Sequence, residues 1–206
     1  MSELHKHGRF FDVWARFYRR GPMHLVLQRI QRWALERIPV REGERILDLG
    51  CGPGDGARKL AARGALMFGL DYSEGMLSQA KAVFSGRLTR GDACRLPFAD
   101  ASFEQIICIN SFHHYPAHLA ALKEMRRVLK PGGALNLVDP RKDHLVGWAS
   151  IDLIENAVFG LEEVRIFSLP HWHRLLSEAG FASATVEPGP WWSPTLRPEV
   201  FVRALA

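Results

Sequence analysis

Acids and histidines stand within or just after short apolar runs in this 206-residue chain. Asp48 lies in "ILDLGCGPGDG", Asp71 ends "ALMFGLD", Asp92 ends "RLTRGD", His113 and His114 follow "FEQIICINSF", and Asp139 ends "GALNLVD". Two chemistries follow from these residue types. A carboxylate accepts two hydroxyl bonds at once or holds a cation, and a histidine beside an acid removes a proton near neutral pH. Between the acids, Gly50, Gly52 and Gly54 let a ligand approach the backbone closely.

A glycine loop after a strand is the arrangement that holds pyrophosphate in dinucleotide enzymes, but this loop departs from that pattern. Its spacing is G-x-G-x-G, and Asp55 occupies the place of the third glycine of G-x-G-x-x-G. Asp48 and Asp55 flank the glycines, and a carboxylate about 4 Å from a phosphate charge costs ~4 kcal/mol at an effective dielectric near 20. A ligand carrying an ammonium and a sulfonium welcomes the acid. S-adenosylmethionine is the common metabolite with that combination.

These residues need a scaffold that gathers strand ends, and the chain has one. From Glu44 onward, "RILDLG", "ALMFGLD", "RLTRGD", "FEQIICIN" and "GALNLVD" read as five strands, separated by helices near 55–63, 74–84 and 117–129. Such alternation predicts an α/β fold with a doubly wound, mostly parallel sheet. Proline and glycine in "KPGG" at 130–133 supply a helix stop and a turn. Beyond Pro140 come helices over 144–159 and 169–179, then "ATVEPG" and "EVFVRAL" as a hairpin closing a seven-stranded sheet through the loop "PGPWWSPTLRP". Ahead of the first strand, Leu27, Ile30, Ala34 and Ile38 fall at helical spacing, so residues 9–20 and 23–38 are expected to be helices. The organisation expected is a helical cap over 1–43 and an α/β domain over 44–206, with a helical insert near 144–180.

Composition narrows the class. With 47% hydrophobic and 24% charged residues the chain is of the globular kind. No apolar run is long enough to span a bilayer, and "MSELHKHGRF" lacks the apolar core of a secretory signal, so a cytoplasmic protein is expected. Cys51, Cys94 and Cys108 are odd in number and widely spaced, which argues against disulfides, a metal site or a cysteine nucleophile. Residues 1–45 carry 10 Lys or Arg against 5 acids, and residues 46–206 carry 17 of each, so the whole +5 charge sits in the leader. A neutral main domain argues against nucleic acid. The basic leader reads as a solvated helix face, or as a peripheral contact with an anionic membrane.

The ordered loops resemble those of class I S-adenosylmethionine-dependent methyltransferases, and within them the quinone and natural-product group that methylates carbon or oxygen. "ILDLGCGPG", "GLDYSEGML", "GDACRLPFADASFE", "INSFHHYP" and "VLKPGGALNLVDP" carry the resemblance from Glu44 to Pro140. It implies a Rossmann-like fold and S-adenosylmethionine as cofactor, held by Asp48, Gly50, Gly52 and Asn110. By the same resemblance Asp71 binds the ribose hydroxyls, Tyr72 and Met76 cover the adenine, and Asp92 with the Ala93 amide meets the adenine edge. "FFDVWARFYRR" is similar to the lead-in "FD-x-x-A-x-x-Y-D" of the group, which places Tyr18 near the methionine end. Arg19 stands where that pattern has an acid.

His113 and His114 at the end of strand four and Asp139 at the end of strand five border one crevice in the expected sheet, which makes a proton-removing pair of histidine and acid. Packing is the other reading of the two histidines. Trp148, Trp172, Trp191 and Trp192 follow the crevice and favour a hydrophobic small-molecule acceptor. Methylation of a phospholipid or other amine at a membrane surface is the alternative, and a non-catalytic module that binds the cofactor is the reading of another class.

Overall fold

A computed structural model of the chain describes residues 3–20, 22–145, 149, 164–190 and 198–206. Seven strands form one sheet in the order β3-β2-β1-β4-β5-β7-β6. They are β1 (Arg45–Leu49), β2 (Leu66–Asp71), β3 (Arg87–Arg90), β4 (Phe103–Ile109), β5 (Leu129–Pro140), β6 (Ser183–Pro188) and β7 (Glu199–Leu205). The first five pair in parallel, and β7 enters antiparallel between β5 and β6. Order reverses at β1, whose neighbours are β2 and β4, so the crevice that a doubly wound sheet offers to ligands opens there.

Alternation along the strands builds a core on each face. On β1, Ile46 packs with the helices α2 (Pro22–Glu36) and α3 (Asp55–Ala61) through Leu35, Ala57 and Leu60. Leu47 and Leu49 point the other way and join Leu122 and Met125 of α5 (His118–Val128) and Trp172 and Leu175 of α6 (Leu169–Glu178). Helix α4 (Glu74–Val83) follows β2 and is capped by Ser73, whose hydroxyl accepts from the Met76 amide at 3.1 Å.

Both N-terminal helices are docked on this body. Ile30, Trp33 and Ala34 of α2 pack against Val138 and Phe201. The C-terminal carbonyls around α2 receive a cation, as a helix end favours: Arg63 donates to Leu35 O at 2.8 Å and Ile38 O at 2.7 Å. Helix α1 (Glu3–Trp14) lies against α4. Asp12 accepts there from the Ser73 hydroxyl at 2.7 Å and the Gly75 amide at 2.9 Å.

Expected boundaries differ at two elements. The first helix ends at Trp14 rather than 20, because the chain turns to carry Tyr18 and Arg19 onto the glycine loop. Strand β5 takes in "KPGG": Leu129 pairs with Phe103, the register then shifts, and Ala134 pairs with Gln105. Gly132, at φ +75°, provides that irregularity without strain. The helix expected over 144–159, Trp148, Trp191, Trp192 and the middle of the last hairpin loop lie largely or wholly outside the described residues.

Candidate active site

The carboxyl ends of β1 to β4 open on one cavity, and α1 and α2 close its outer side. Tyr18, Asp48, Gly50, Gly52, Asp71, Tyr72, Met76, Asp92, Ala93 and Asn110 all line it. The loop after β1 is built for close approach. A Cβ on Gly50, at φ +70°, would meet Ser111 Oγ at 1.9 Å, and Gly52 sits at φ +51°. No L side chain fits the first position.

The loop and the acid of the next strand are joined. Asp71 Oδ2 accepts from the Gly52 amide at 2.8 Å, and Oδ1 accepts from the Ser73 amide at 2.9 Å. Burial pushes the Asp71 carboxyl above its ordinary value while those amides hold it down. Asp48 is 5% exposed. Burial first and the Asp71 charge second push its carboxyl up to about 7, opposed by the Ala57 amide. A buried acid in this state gains from a cationic ligand. Asn110 adds a second acceptor: it follows β4 at φ +50°, and its buried Oδ1 has no hydrogen-bond partner. Strain and an orphan oxygen coincide at functional sites.

Asp55 is otherwise engaged. Arg19 contacts its carboxylate at 3.3 Å and donates to Pro53 O at 3.2 Å. The basic residue at the departure from the family pattern therefore ties the leader to the loop and neutralises the acid at the third-glycine position. Burial first, with Asp55, Asp71 and Asp48 nearby, pushes the Tyr18 hydroxyl up to about 12, so it remains a donor. Beyond the end of β3, Asp92 Oδ1 accepts from the Cys94 amide at 2.8 Å, and this local turn fixes the Ala93 backbone on the cavity wall.

The two histidines part company. His114 lines the cavity, with its ring edge-on to Phe11 of α1 at 4.8 Å. His113 is 3% exposed and Asp139 fully buried, and neither reaches the cavity wall. They form a pair behind it, Nδ1 to Oδ1 at 2.7 Å, and the His113 ring lies 4.1 Å from that of His114. The expected histidine and acid thus meet, one layer back from the cavity. A 3-10 turn over Phe112–His114 produces this split, since adjacent residues on it face different sides.

Sequence reasoning passed over residues of the N-terminal helices. Gly8 and Phe11 of α1 and His24, Gln28 and Gln31 of α2 line the cavity. The last three recur at i, i+4 and i+7, a polar stripe on an otherwise amphipathic helix that was readable in advance. Ser111 and Tyr115, hydrogen-bonded at 3.0 Å, also lie on the wall. Nothing in their spacing marks them.

The sheet order, the glycine loop and the acids at successive strand ends define a Rossmann-like fold of methyltransferase type. Residues 47–137 match the family described as the methyltransferase domain. The demethylmenaquinone methyltransferase of Bacillus velezensis is 32% identical over 159 residues, 71% of this chain and 68% of that one. The chain belongs to this methyltransferase family. The 27-O-demethylrifamycin SV methyltransferase of Amycolatopsis mediterranei is 32% identical over 158 residues, 73% of this chain and 58% of that protein. The chain thus spans 58% of the length of this relative. A solved methyltransferase from Thermotoga maritima shares the fold with a TM-score of 0.77 at 23% identity, covering 98% of each chain.

Proposed function

We propose that the chain is an S-adenosylmethionine-dependent methyltransferase acting on oxygen or carbon of a hydrophobic small molecule. The observation that carries this reading is one cavity lined both by buried acceptors for a cationic ligand, Asp48 and Asn110, and by His114 packed against Phe11. The cofactor supplies an electrophilic methyl group on a sulfonium. The chain's residues hold, orient and exclude water. Asp71 keeps acceptor capacity for the ribose hydroxyls beside its bonds to the Gly52 and Ser73 amides. Asp48 and Asn110 take the ammonium, Tyr18 donates from the leader, Tyr72 and Met76 cover the adenine, and Asp92 with Ala93 meets its edge. Alignment of two bound partners supplies up to ~7 to 11 kcal/mol of the barrier. His114 takes the acceptor's proton, and the His113–Asp139 pair behind it holds the ring.

The N-terminal helices act as a cap over this cavity. Demethylmenaquinone and demethylrifamycin, named for the relatives, are large and apolar, in keeping with an acceptor of that class. Cys51, Cys94 and Cys108 are free thiols, which suits a reducing, cytoplasmic compartment, and among the described residues no helix is long and apolar enough to cross a membrane. A screen of quinols, phenols, glycosides and phospholipids for release of S-adenosylhomocysteine tests the reading. Release with a quinol or phenol supports it, whereas cofactor binding with no release from any acceptor leaves a binding module.

A second surface favours membrane contact as an addition. Val13 is 62% exposed, Phe17 51%, Met23 44% and Leu25 70%, beside the exposed Arg16 and Arg20. Apolar and basic residues together suit an anionic bilayer. Sedimentation with phosphatidylglycerol vesicles but not with phosphatidylcholine vesicles is expected, and loss to neither rejects the contact.

A further inference from the structure

A second cavity, of about 700 Å³, lies on the other side of the loop that carries His114. The first turn of α5, from Ala117 to Ala120, forms one wall, and Ser168 with His171, at the start of α6, forms another. Neither helix has a side-chain cap on its first amides. A helix start left in this state carries roughly half a unit of positive charge, and the free N–H donors are those of α5, since at α6 Pro170 has no N–H and the His171 amide donates to Ser168 O at 3.0 Å. Lys142 and Arg165 line the same cavity, and the described lining residues include no carboxylate. His118 contributes a buried polar edge: it is 8% exposed, and its Nε2 has no hydrogen-bond partner.

We propose that this cleft between the N-termini of α5 and α6 binds a phosphate-type oxyanion. Two helix ends, a lysine and an arginine exceed the charge of one carboxylate and match a dianion. The Leu119 and Ala120 amides are placed as backbone donors in the manner of helix-start phosphate sites. Arg165 supplies a fork for two oxygens. Burial, with Arg165 and then His113 as further causes, pushes the His118 ring down to about 4, so it stands neutral in the wall. A bound anion offsets the Arg165 charge, and the P–OH of a monohydrogen phosphate donates to the Nε2 lone pair. The phosphate is either a free ion or a substituent of an organic ligand. This site lies outside the cofactor cavity and does not depend on the methyl-transfer reading.

Titration of the full chain with inorganic phosphate, against sodium chloride at matched ionic strength, tests the site by nuclear magnetic resonance. Saturable shifts of the Leu119 and Ala120 amides and the His118 ring are expected with phosphate and not with chloride. Arg165→Gln and Lys142→Gln, both at exposed side chains, should each raise the midpoint about tenfold, the loss of one charge-assisted bond. Affinity for S-adenosylhomocysteine reads the fold of each variant and should not change. Phenyl phosphate separates the two sources. Tighter binding that also shifts His114 makes the phosphate a substituent of the acceptor, and equal midpoints with His114 unmoved make it a free ion; either keeps the site. Shifts that never saturate, that match those of chloride, or whose midpoint is unchanged in the double variant overturn it.

Discussion

The Gly52 amide donates to Asp71 Oδ2 at 2.8 Å, so the turn after β1 and the acid ending β2 hold each other in place. Each is positioned by a strand, and adjacent parallel strands bring the two ends together. Replacing Asp71 by Ala removes the proposed ribose acceptor and the brace at once. Affinity for S-adenosylhomocysteine should fall by ~1 to 3 kcal/mol. Calorimetry that gives the wild-type value rejects this role.

Asp48 makes cofactor binding depend on pH. Its folded value near 7 exceeds the ordinary 3.8, so the ligand-free folded chain binds more protons than the unfolded chain between those values. This group's contribution to stability therefore falls as pH rises from about 4 to 7. A cationic ligand favours the charged carboxylate, so binding releases its proton below 7. Affinity for S-adenosylmethionine should climb by up to about tenfold per pH unit below 7 and level off above. The Asp48→Asn variant should bind weakly with a flat profile, and a profile like that of the wild type would contradict the assignment.

Asp12 anchors the cap. Its carboxylate receives Ser73 Oγ and the Gly75 amide, so Asp12→Ala should cost about 0.5 to 2 kcal/mol, as loss of a helix cap does. Amides of α1 should exchange faster in this variant while those of β4 and β5 stay protected. Unchanged exchange over residues 8–14 would show that the helix is held by other contacts.

His114 and His113 should separate in kinetics. With an acceptor in hand, His114→Ala should lower kcat by about 10² to 10⁴ with S-adenosylhomocysteine affinity kept. His113→Ala removes the 2.7 Å bond to Asp139 inside the core, so its first effect should be a stability loss of about 1 to 3 kcal/mol. Turnover of the His114 variant within a few-fold of wild type would make it a packing residue.

Glu199 adds a third buried acid-base group behind His114. It is 5% exposed, and burial, then the Asp139 charge, push it up to about 8, with His113 opposing. The folded chain therefore keeps a proton there that the unfolded chain loses above its ordinary 4.5, and stability declines as pH rises between those values. Glu199→Gln removes this titration. Its melting temperature relative to wild type should rise from pH 5 to 8 by at least about 3 °C, the effect of roughly 1 kcal/mol in a chain of this size. A constant difference across that range would place the charge elsewhere.

The α/β alternation, the crevice at the first strand and the cavity-lining residues from Asp48 to Asn110 were legible in the sequence, because each depends on contacts within a few residues of a strand end. A glycine that must turn at positive φ and an acid that must close a strand leave local marks. Two other features were not legible. Arg19 looked like a departure from pattern until its partner, Asp55, was in view 36 residues away. His113 and His114 are equivalent in sequence, and only a 3-10 turn against β5 sends one to Asp139 and the other to the cavity.

Local chemistry shaped what the loop can accept: glycines admit the backbone, and the buried Asp48 gains from a cation rather than a phosphate. Tertiary structure decided how the site is closed and which histidine reaches it. Placement of α1 over α4, the antiparallel entry of β7 with Glu199, and the meeting of two helix N-termini all arise from pairings between distant segments. Such pairings are set by which apolar faces fit together in three dimensions, and period and spacing along the chain carry no record of that fit.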